Sequence, residues 1–189
     1  EKSYVIGNTP LDNILKYKNQ ISYDFKIIVT LHRRQNHEVM KRYFQAINMI
    51  AKLNPIFKFI IPIHPNPNVI KHKEILKAAN IQVCDPIPYE EMLDIISKCR
   101  FIISDSGGIQ EEAAFLNKRV IICRESTERP EGLNDGFHII CEKPDYLPGA
   151  FDFIAEDYRP TKGAVCPFGD GYASDKIVNL FMTYNIIYN

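Results

Sequence analysis

The sequence has no tryptophan, no closely spaced cysteine pair and no long apolar run. Its five cysteines are scattered and odd in number, and none belongs to a CxxC motif, which indicates reduced thiols rather than a disulfide framework. No apolar stretch approaches the roughly 20 residues that a membrane helix needs, and the first residues lack the basic and then apolar pattern of a signal peptide. We therefore expect a cytoplasmic protein that does not associate with membranes.

An excess of either charge is also absent. Lysine plus arginine and aspartate plus glutamate number 23 each, so the formal net charge is zero. A neutral chain gives no overall electrostatic case for nucleic acid as a partner, and any binding of phosphate must be local. The 189 residues, of which 46% are hydrophobic and 24% charged, have the composition of one soluble globular domain.

Short apolar strands alternate with amphipathic helices along the chain. The predicted strands are 26–31, 57–63, 81–84, 101–103, 120–123 and 137–141. The predicted helices are 40–51, 89–97, 147–154, a further helix through Ile75, Leu76 and Ala79, and a last helix from about Ala173. Prolines exclude a helix between the second strand and about Val69. This alternation predicts an α/β fold with a doubly wound, mostly parallel, Rossmann-like sheet.

A strand, a glycine turn and a helix start follow one another after Phe101. Gly107 and Gly108 let the backbone come close to a ligand, and Asp105 or Ser106 can cap the helix. The free amides of the first helical turn and the positive end of the helix dipole suit an anion such as phosphate. An ordinary strand-to-helix connection has the same pattern, so the turn alone leaves both interpretations open.

Charged residues collect where the predicted strands end. Five of them surround Thr127 after the strand 120–123, and they are Arg124, Glu125, Glu128, Arg129 and Glu131. The basic cluster His32, Arg33 and Arg34 follows the first strand, and His64 follows the second. Ligands of open parallel sheets bind at the carboxyl ends of the strands, so these groups belong to the edge where a ligand is expected.

Five motifs in a fixed order carry a more specific signal. They are VTLHRRQN at 29–36, IHPNPNV at 63–69, DSGGIQEEA at 105–113, TERPEG at 127–132 and PFGDGYAS at 167–174. Together they resemble the UDP-N-acetylglucosamine 2-epimerases, sugar-nucleotide enzymes of glycosyltransferase-B architecture. The resemblance implies the C-terminal, nucleotide-binding half of that architecture, with residues 1–25 as an interdomain segment and first helix, and residues 26–189 as a UDP-binding Rossmann-like domain with a C-terminal bridging helix.

The resemblance also implies roles for single residues. UDP-binding positions are Ser106, Gly107 and Gly108 for the phosphates, Glu112 for the ribose hydroxyls and Arg129 for the nucleotide. The implied catalytic residue is His32 at the departing diphosphate, with supporting or regulatory positions at Arg33, Arg34 and His64. Simpler interpretations stay open: Glu111 and Glu112 as acids of the first helical turn, Arg129 as a partner of Glu125 or Glu128, and His64 as part of a proline-locked turn.

The activity that the resemblance implies is interconversion of UDP-N-acetylglucosamine and UDP-N-acetylmannosamine. UDP is eliminated to a glycal-type intermediate and added back with inverted stereochemistry at carbon 2, a scheme that needs no nicotinamide, no metal and no other cofactor. A hydrolysing relative, a catalytically silent UDP-binding module and the nucleotide half of a glycosyltransferase are alternatives. The sequence departs from the family pattern at Gln35, where glutamate is usual, and at Phe137 and His138.

Partners follow from the same resemblance. In the family, the acids that handle the proton at carbon 2 come from an N-terminal domain. We therefore expect this chain to be inactive alone, and either to form a homo-oligomer or to work with an N-terminal domain through its last helix.

Overall fold

Six parallel strands form one sheet in the computed structural model, which describes residues 3–184. They are Lys26–Thr30 (β1), Lys58–Pro62 (β2), Ile81–Cys84 (β3), Phe101–Ser104 (β4), Val120–Ile122 (β5) and His138–Ile140 (β6). The sheet order is β3-β2-β1-β4-β5-β6, and every neighbouring pair is parallel. The predicted doubly wound α/β fold is confirmed.

The chain reverses its direction across the sheet between β1 and β4. β2 and β3 extend the sheet on one side of β1, and the chain then returns to place β4 on the other side. Ile28 of β1 consequently pairs with both Ile60 and Ile102. Such a reversal opens a crevice outside the carboxyl ends of the two central strands, which is where ligands bind in this type of fold.

Helices cover both faces of the sheet. The α-helices are Met40–Leu53 (α1), Pro67–Ile70 (α2), Tyr89–Lys98 (α3), Gly107–Phe115 (α4), Glu131–Asn134 (α5), Leu147–Glu156 (α6) and Ala173–Thr183 (α7). The described residues also form 3₁₀ helices at Thr9–Gln20, Arg34–Asn36, Lys73–Ile75 and Pro144–Tyr146. Within residues 3–184, none of the helices combines the length and the apolar character needed to cross a membrane.

The alternation of side chains along β1 divides the interior into two cores. Ile27 and Val29 pack in one core with α1 and α6, whereas Ile28 packs in the other with α3 and α4. Successive side chains of a strand point to opposite faces, and both faces of a parallel sheet are covered. This is why the strands are rich in isoleucine and valine rather than alternating with polar residues.

Two helix predictions between β2 and β3 were wrong. The expected helix through Ile75, Leu76 and Ala79 is only the 3₁₀ turn Lys73–Ile75, and Leu76 already leaves helical geometry. Conversely, α2 starts at Pro67, before the expected limit at Val69. Proline is well suited to the first helical position because its missing N–H has no partner there anyway.

The N-terminal 3₁₀ helix is part of the second core. Leu11 and Ile14 are fully buried in it, together with residues of α3 and α4. Asp12 accepts hydrogen bonds from the amides of Ala173 (3.0 Å) and Ser174 (2.7 Å), and so caps the start of α7. These hydrogen bonds connect the N-terminal 3₁₀ helix to α7.

The division of the chain into residues 1–25 and 26–189 stays a prediction.

Candidate functional site

The turn after β4 presents backbone amides at the sheet reversal. Ser106 is the N-cap residue of α4, and its side chain makes no capping hydrogen bond, so the predicted Ser106 cap is not formed. Gly107 opens the helix and is buried, whereas Gly108 is exposed. A Cβ atom at Gly108 would meet no other atom within 4 Å, so open space lies beside this turn.

Asp105 has a role different from the predicted helix cap. Its carboxylate is fully buried and accepts hydrogen bonds from the backbone amides of His32 (3.0 Å) and Arg33 (2.9 Å). The Asn36 side chain donates a third hydrogen bond to it, at 2.8 Å. A buried carboxylate is stable only when it is fully hydrogen-bonded, so Asp105 fixes the loop after β1 against the turn after β4.

Asn36 extends this connection to a third strand. Its buried side-chain amide also donates to the backbone oxygen of Cys123, at 2.9 Å. Cys123 directly follows β5, so one side chain joins the exits of β1, β4 and β5. Sequence reasoning missed Asn36, and its only sequence signal was its place in the motif that contains His32.

Arg129 lies at the start of α4. A Cβ atom on Gly107 would be 2.7 Å from Nη1 of Arg129, so the guanidinium rests directly against the glycine. The Nε of Arg129 donates to Glu111, and its Nη1 lies 3.6 Å from Glu128. The simpler interpretation of Arg129 was pairing with Glu125 or Glu128; Glu128 lies near it, but Glu111 is the nearer partner. Only glycine at position 107 leaves room for this cation at the helix N-terminus.

Glu111 and Glu112 lie in the second turn of α4, which corrects the prediction of the first turn. The hydroxyl of Tyr89, the first residue of α3, donates to Oε1 of Glu112 at 3.1 Å. Burial raises the pKa of Glu112, an effect that the hydrogen bond from Tyr89 partly opposes. Since α4 begins only at Gly107, neither acid serves mainly as a dipole partner.

Gln110 fastens the loop that carries Arg129. The hydroxyl of Thr127 donates to its side-chain oxygen at 2.6 Å, and its side-chain nitrogen donates to the backbone oxygen of Ser106 at 3.2 Å. The backbone oxygen of Gln110 accepts from Nε2 of His138, at 3.0 Å. Gln110 is fully buried, and it was not identified from the sequence.

The two histidines at the exits of β1 and β2 are stacked. The rings of His32 and His64 have centroids 5.1 Å apart and planes inclined by 18°. Burial lowers the pKa of His32, against the opposing effect of Asp105, whose Oδ1 lies 4.0 Å from Nε2. The Nδ1 of His64 accepts from the amide of Asn66 at 3.1 Å. The lowered pKa of His32 favours its neutral form at neutral pH.

The remaining predicted residues stand around this centre. Arg33, whose backbone amide donates to Asp105, is half-buried, and Arg34 is exposed. Asn8 joins the site through its side-chain amide, which donates to Glu111 at 2.8 Å. Phe137 and His138, which depart from the family pattern, are both buried. No group of three or more possible metal ligands of the histidine, cysteine or carboxylate type occurs in the part of the chain that the structure describes.

Comparisons with known proteins give one family. The family model described as UDP-N-acetylglucosamine 2-epimerase matches residues 1–182. The UDP-N-acetylglucosamine 2-epimerase of Campylobacter jejuni is 34% identical, with 96% of this chain and 55% of the relative covered. The enzyme of that name from Salmonella borreze is 33% identical, with 95% and 50% covered. The chain thus spans about half the length of the curated relatives it matches.

Solved structures give the same result. The UDP-N-acetylglucosamine 2-epimerase of Neisseria meningitidis bound to UDP-GlcNAc has a TM-score of 0.83 at 33% identity, with 95% of this chain and 55% of that chain covered. The C-terminal domain of a group 1 glycosyl transferase from Francisella tularensis has a TM-score of 0.57 at 15% identity, with 91% and 92% covered, which shows a shared fold alone. On this evidence the chain belongs to the UDP-N-acetylglucosamine 2-epimerase family.

Proposed function

We propose that this chain is the UDP-binding half of an enzyme that interconverts UDP-N-acetylglucosamine and UDP-N-acetylmannosamine. The observation that carries the proposal is the Arg129 guanidinium lying against Gly107, at the amide end of α4 and beside the open space at Gly108. A cation, a helix N-terminus and a glycine turn at one point form a site for a diphosphate.

The ribose is assigned to Glu112. A carboxylate suits a vicinal diol because it accepts from both hydroxyls. Tyr89 occupies Oε1 of Glu112 with one hydrogen bond, so Oε2 and the remaining lone pair of Oε1 stay available for the ribose. The raised pKa of Glu112 reflects a carboxylate that is partly removed from water, and hydrogen bonds from a ligand would favour its charged form.

His32 is assigned the role of stabilising the departing diphosphate, with Arg33 and Arg34 as supporting cations. Elimination of UDP gives a glycal-type intermediate, and negative charge develops on the diphosphate as the bond to the sugar breaks. A neutral imidazole can donate one hydrogen bond to that oxygen, and the nearby phosphate charge would raise the pKa of His32 and favour the charged form. His64 supports the ring by stacking, and contact with a second, regulatory substrate molecule is a separate proposal for it.

The proton at carbon 2 needs acids from elsewhere. We propose that an N-terminal domain supplies them, as the resemblance implies, and that this chain alone binds UDP without turnover. The partial coverage of the relatives supports this division. Metal and other cofactors have no role in the proposed scheme.

Titration calorimetry with UDP tests the proposal. We expect binding by the wild-type chain and a loss of about 1–3 kcal/mol for Glu112→Ala, because a charged acceptor is removed. Glu156→Ala, which changes an exposed acid of α6, is the matched control and should bind as the wild type does. If the folded chain bound no UDP, or if both variants lost equal affinity, the assignment would be wrong.

A further inference from the structure

Two cysteines face each other where β5 and β6 end. Ile122 pairs with Ile140, and the amide of Cys141 donates to the oxygen of Ile122 at 2.8 Å. Cys123 and Cys141 are therefore at opposite positions, one residue beyond each strand. Both are buried in the same core, so their side chains point to the same face of the sheet.

The separation of the two cysteines suits a covalent bond. Neighbouring strands lie about 4.8 Å apart, within the range of about 4.4–6.8 Å between the Cα atoms of disulfides. The Sγ of Cys141 donates to the backbone oxygen of Lys143 at 3.2 Å. The neighbouring Cys123 thiol lowers the pKa of Cys141, which increases the share of thiolate, the reactive form, whereas burial raises the pKa of Cys123. Both cysteines are free thiols in this structure.

We propose that Cys123 and Cys141 form a reversible dithiol and disulfide pair that controls the loop carrying Arg129. The oxidant is a low-molecular-weight disulfide. The Cys141 thiolate attacks one sulfur of the oxidant and expels the first small thiolate, leaving a mixed disulfide. Cys123 then gives its proton to that small thiolate and attacks the Cys141 sulfur, and the second small thiolate leaves and takes up the proton that Cys141 had lost to water. Two protein thiols are oxidised and one small disulfide is reduced to two thiols.

Access to these buried thiols comes from the edge of the sheet. β6 is the last strand in the sheet order, and it has only three residues. Short edge strands open locally far more often than the whole domain unfolds. The cysteine that follows β6 is Cys141, the one with the lowered pKa, so it is the first to meet the oxidant.

The link to the nucleotide site rests on the proposed function. Cys123 accepts from Asn36 through its backbone oxygen and is followed by Arg124, where the loop to Arg129 begins. A bond between the two sulfurs would lock the two side chains in one geometry beside the start of this loop, and we expect that constraint to shift the loop. We expect the oxidised chain to bind UDP roughly tenfold more weakly, which corresponds to about 1.4 kcal/mol.

Peptide mapping decides the pairing without reference to UDP. The folded chain is treated with 2-hydroxyethyl disulfide, its remaining thiols are alkylated, and it is digested with trypsin. Each of the five cysteines falls in its own tryptic peptide, because a cleavable lysine or arginine separates every pair. The proposal predicts that peptide 120–124 is joined to peptide 125–162. A bridge between other cysteines, or none, would overturn it.

Calorimetry on the same samples tests the consequence. Oxidation should weaken UDP binding in the wild type and leave Cys141→Ser unchanged, with reductant restoring the wild type. Cys166→Ser retains both thiols of the pair and serves as the matched control, so it should respond as the wild type does. A correct bridge with unchanged UDP affinity would contradict control of the loop. If the reduced chain bound no UDP, the proposed function would fail while the peptide map still decided the pairing.

Discussion

Two fully buried polar side chains, Asp105 and Gln110, hold the loops of the site in place. Asp105 accepts from the backbone amides of His32 and Arg33, which are distant in sequence. Gln110 accepts from the Thr127 hydroxyl and donates to the backbone oxygen of Ser106. Asp105 fixes the loop with His32, and Gln110 fixes the loop with Arg129 through Thr127. His32 and Arg129, residues of the proposed site, are partly exposed, and these buried contacts fix the loops that carry them.

Asp105→Asn is expected to lower the free energy of unfolding by about 2–4 kcal/mol, because one acceptor oxygen becomes an NH₂ group that faces donors. Urea unfolding measures the change. Asp24→Asn is the control, since Asp24 is partly exposed and pairs with Lys26 at 2.9 Å. That pair should contribute no more than about 1 kcal/mol. Equal losses in the two variants would show that the buried Asp105 carboxylate stabilises the fold no more than an exposed carboxylate does.

The buried His138 side chain should make the free energy of unfolding depend on pH. Burial lowers its pKa to about 4. Its Nδ1 has no hydrogen-bond partner among the described residues and lies so close to Gly132 that a Cβ there would be 2.1 Å away. Below the ordinary histidine pKa of 6.5 the unfolded chain binds a proton that the folded chain does not. Stability should therefore fall as the pH drops from 6.5 to about 4, by on the order of 3 kcal/mol.

Unfolding measured between these pH values checks the effect, with His138→Gln as the variant that cannot titrate. Glutamine retains a side-chain donor for the backbone oxygen of Gln110, so only the titration is removed. The wild type should lose stability relative to the variant as the pH falls from 6.5 to about 4. A difference that is constant with pH would contradict it.

The first two residues of helix α4 combine close packing with the proposed diphosphate site. At Gly107 an added Cβ would meet the end of the flexible Arg129 side chain, whereas at Gly108 it would meet nothing within 4 Å. Neither contact threatens the backbone. Any effect of a methyl group on ligand binding at these positions is therefore separable from its effect on folding.

Gly107→Ala and Gly108→Ala are each expected to weaken UDP binding roughly tenfold, or by about 1.4 kcal/mol, without loss of thermal stability. The first variant displaces Arg129, and the second fills the space assigned to the diphosphate. Gly149→Ala in α6, where a Cβ also meets nothing, is the matched control and should not affect UDP. Calorimetry and thermal unfolding give both quantities. Unchanged UDP affinity in both variants would place the diphosphate elsewhere.

The last helix gives the whole molecule an open apolar side. Of the α7 residues, Ala173 alone is buried, and Val178, Phe181 and Met182 are all at least 41% exposed. Large exposed apolar patches usually mark interaction sites. The bridging role of this helix remains a prediction that the exposure supports.

We expect the chain to self-associate, or to bind an N-terminal half, through this side of α7. Light scattering over a concentration series should show a rising mass for the wild type and a smaller rise for Phe181→Ser. Leu53→Ser is the control, because Leu53 is equally apolar and 73% exposed at the end of α1. A mass that stays monomeric at every concentration would count against self-association.

Much of this architecture followed from the sequence because its strands are short apolar runs bounded by turns. The glycine turn, the doubly wound parallel sheet and the edge shared by His32 and Arg129 were predicted on that basis. The contacts of Asp105, Asn36 and Gln110 were not, because each joins segments far apart along the chain. The prediction of a helix through Leu76 failed because the apolar residues there pack into the core without forming an α-helix.

The central claim is that UDP binds at the N-terminus of α4. Nuclear magnetic resonance of the ¹⁵N-labelled chain during titration with UDP tests it directly, because backbone amides report on a nearby phosphate. The account predicts saturable shifts that are largest at Gly107 and Gly108, with an accompanying shift at the side chain of Arg129. Shifts confined to other surfaces, such as the cleft lined by Glu38 and Lys143, or none at saturating UDP, would contradict it.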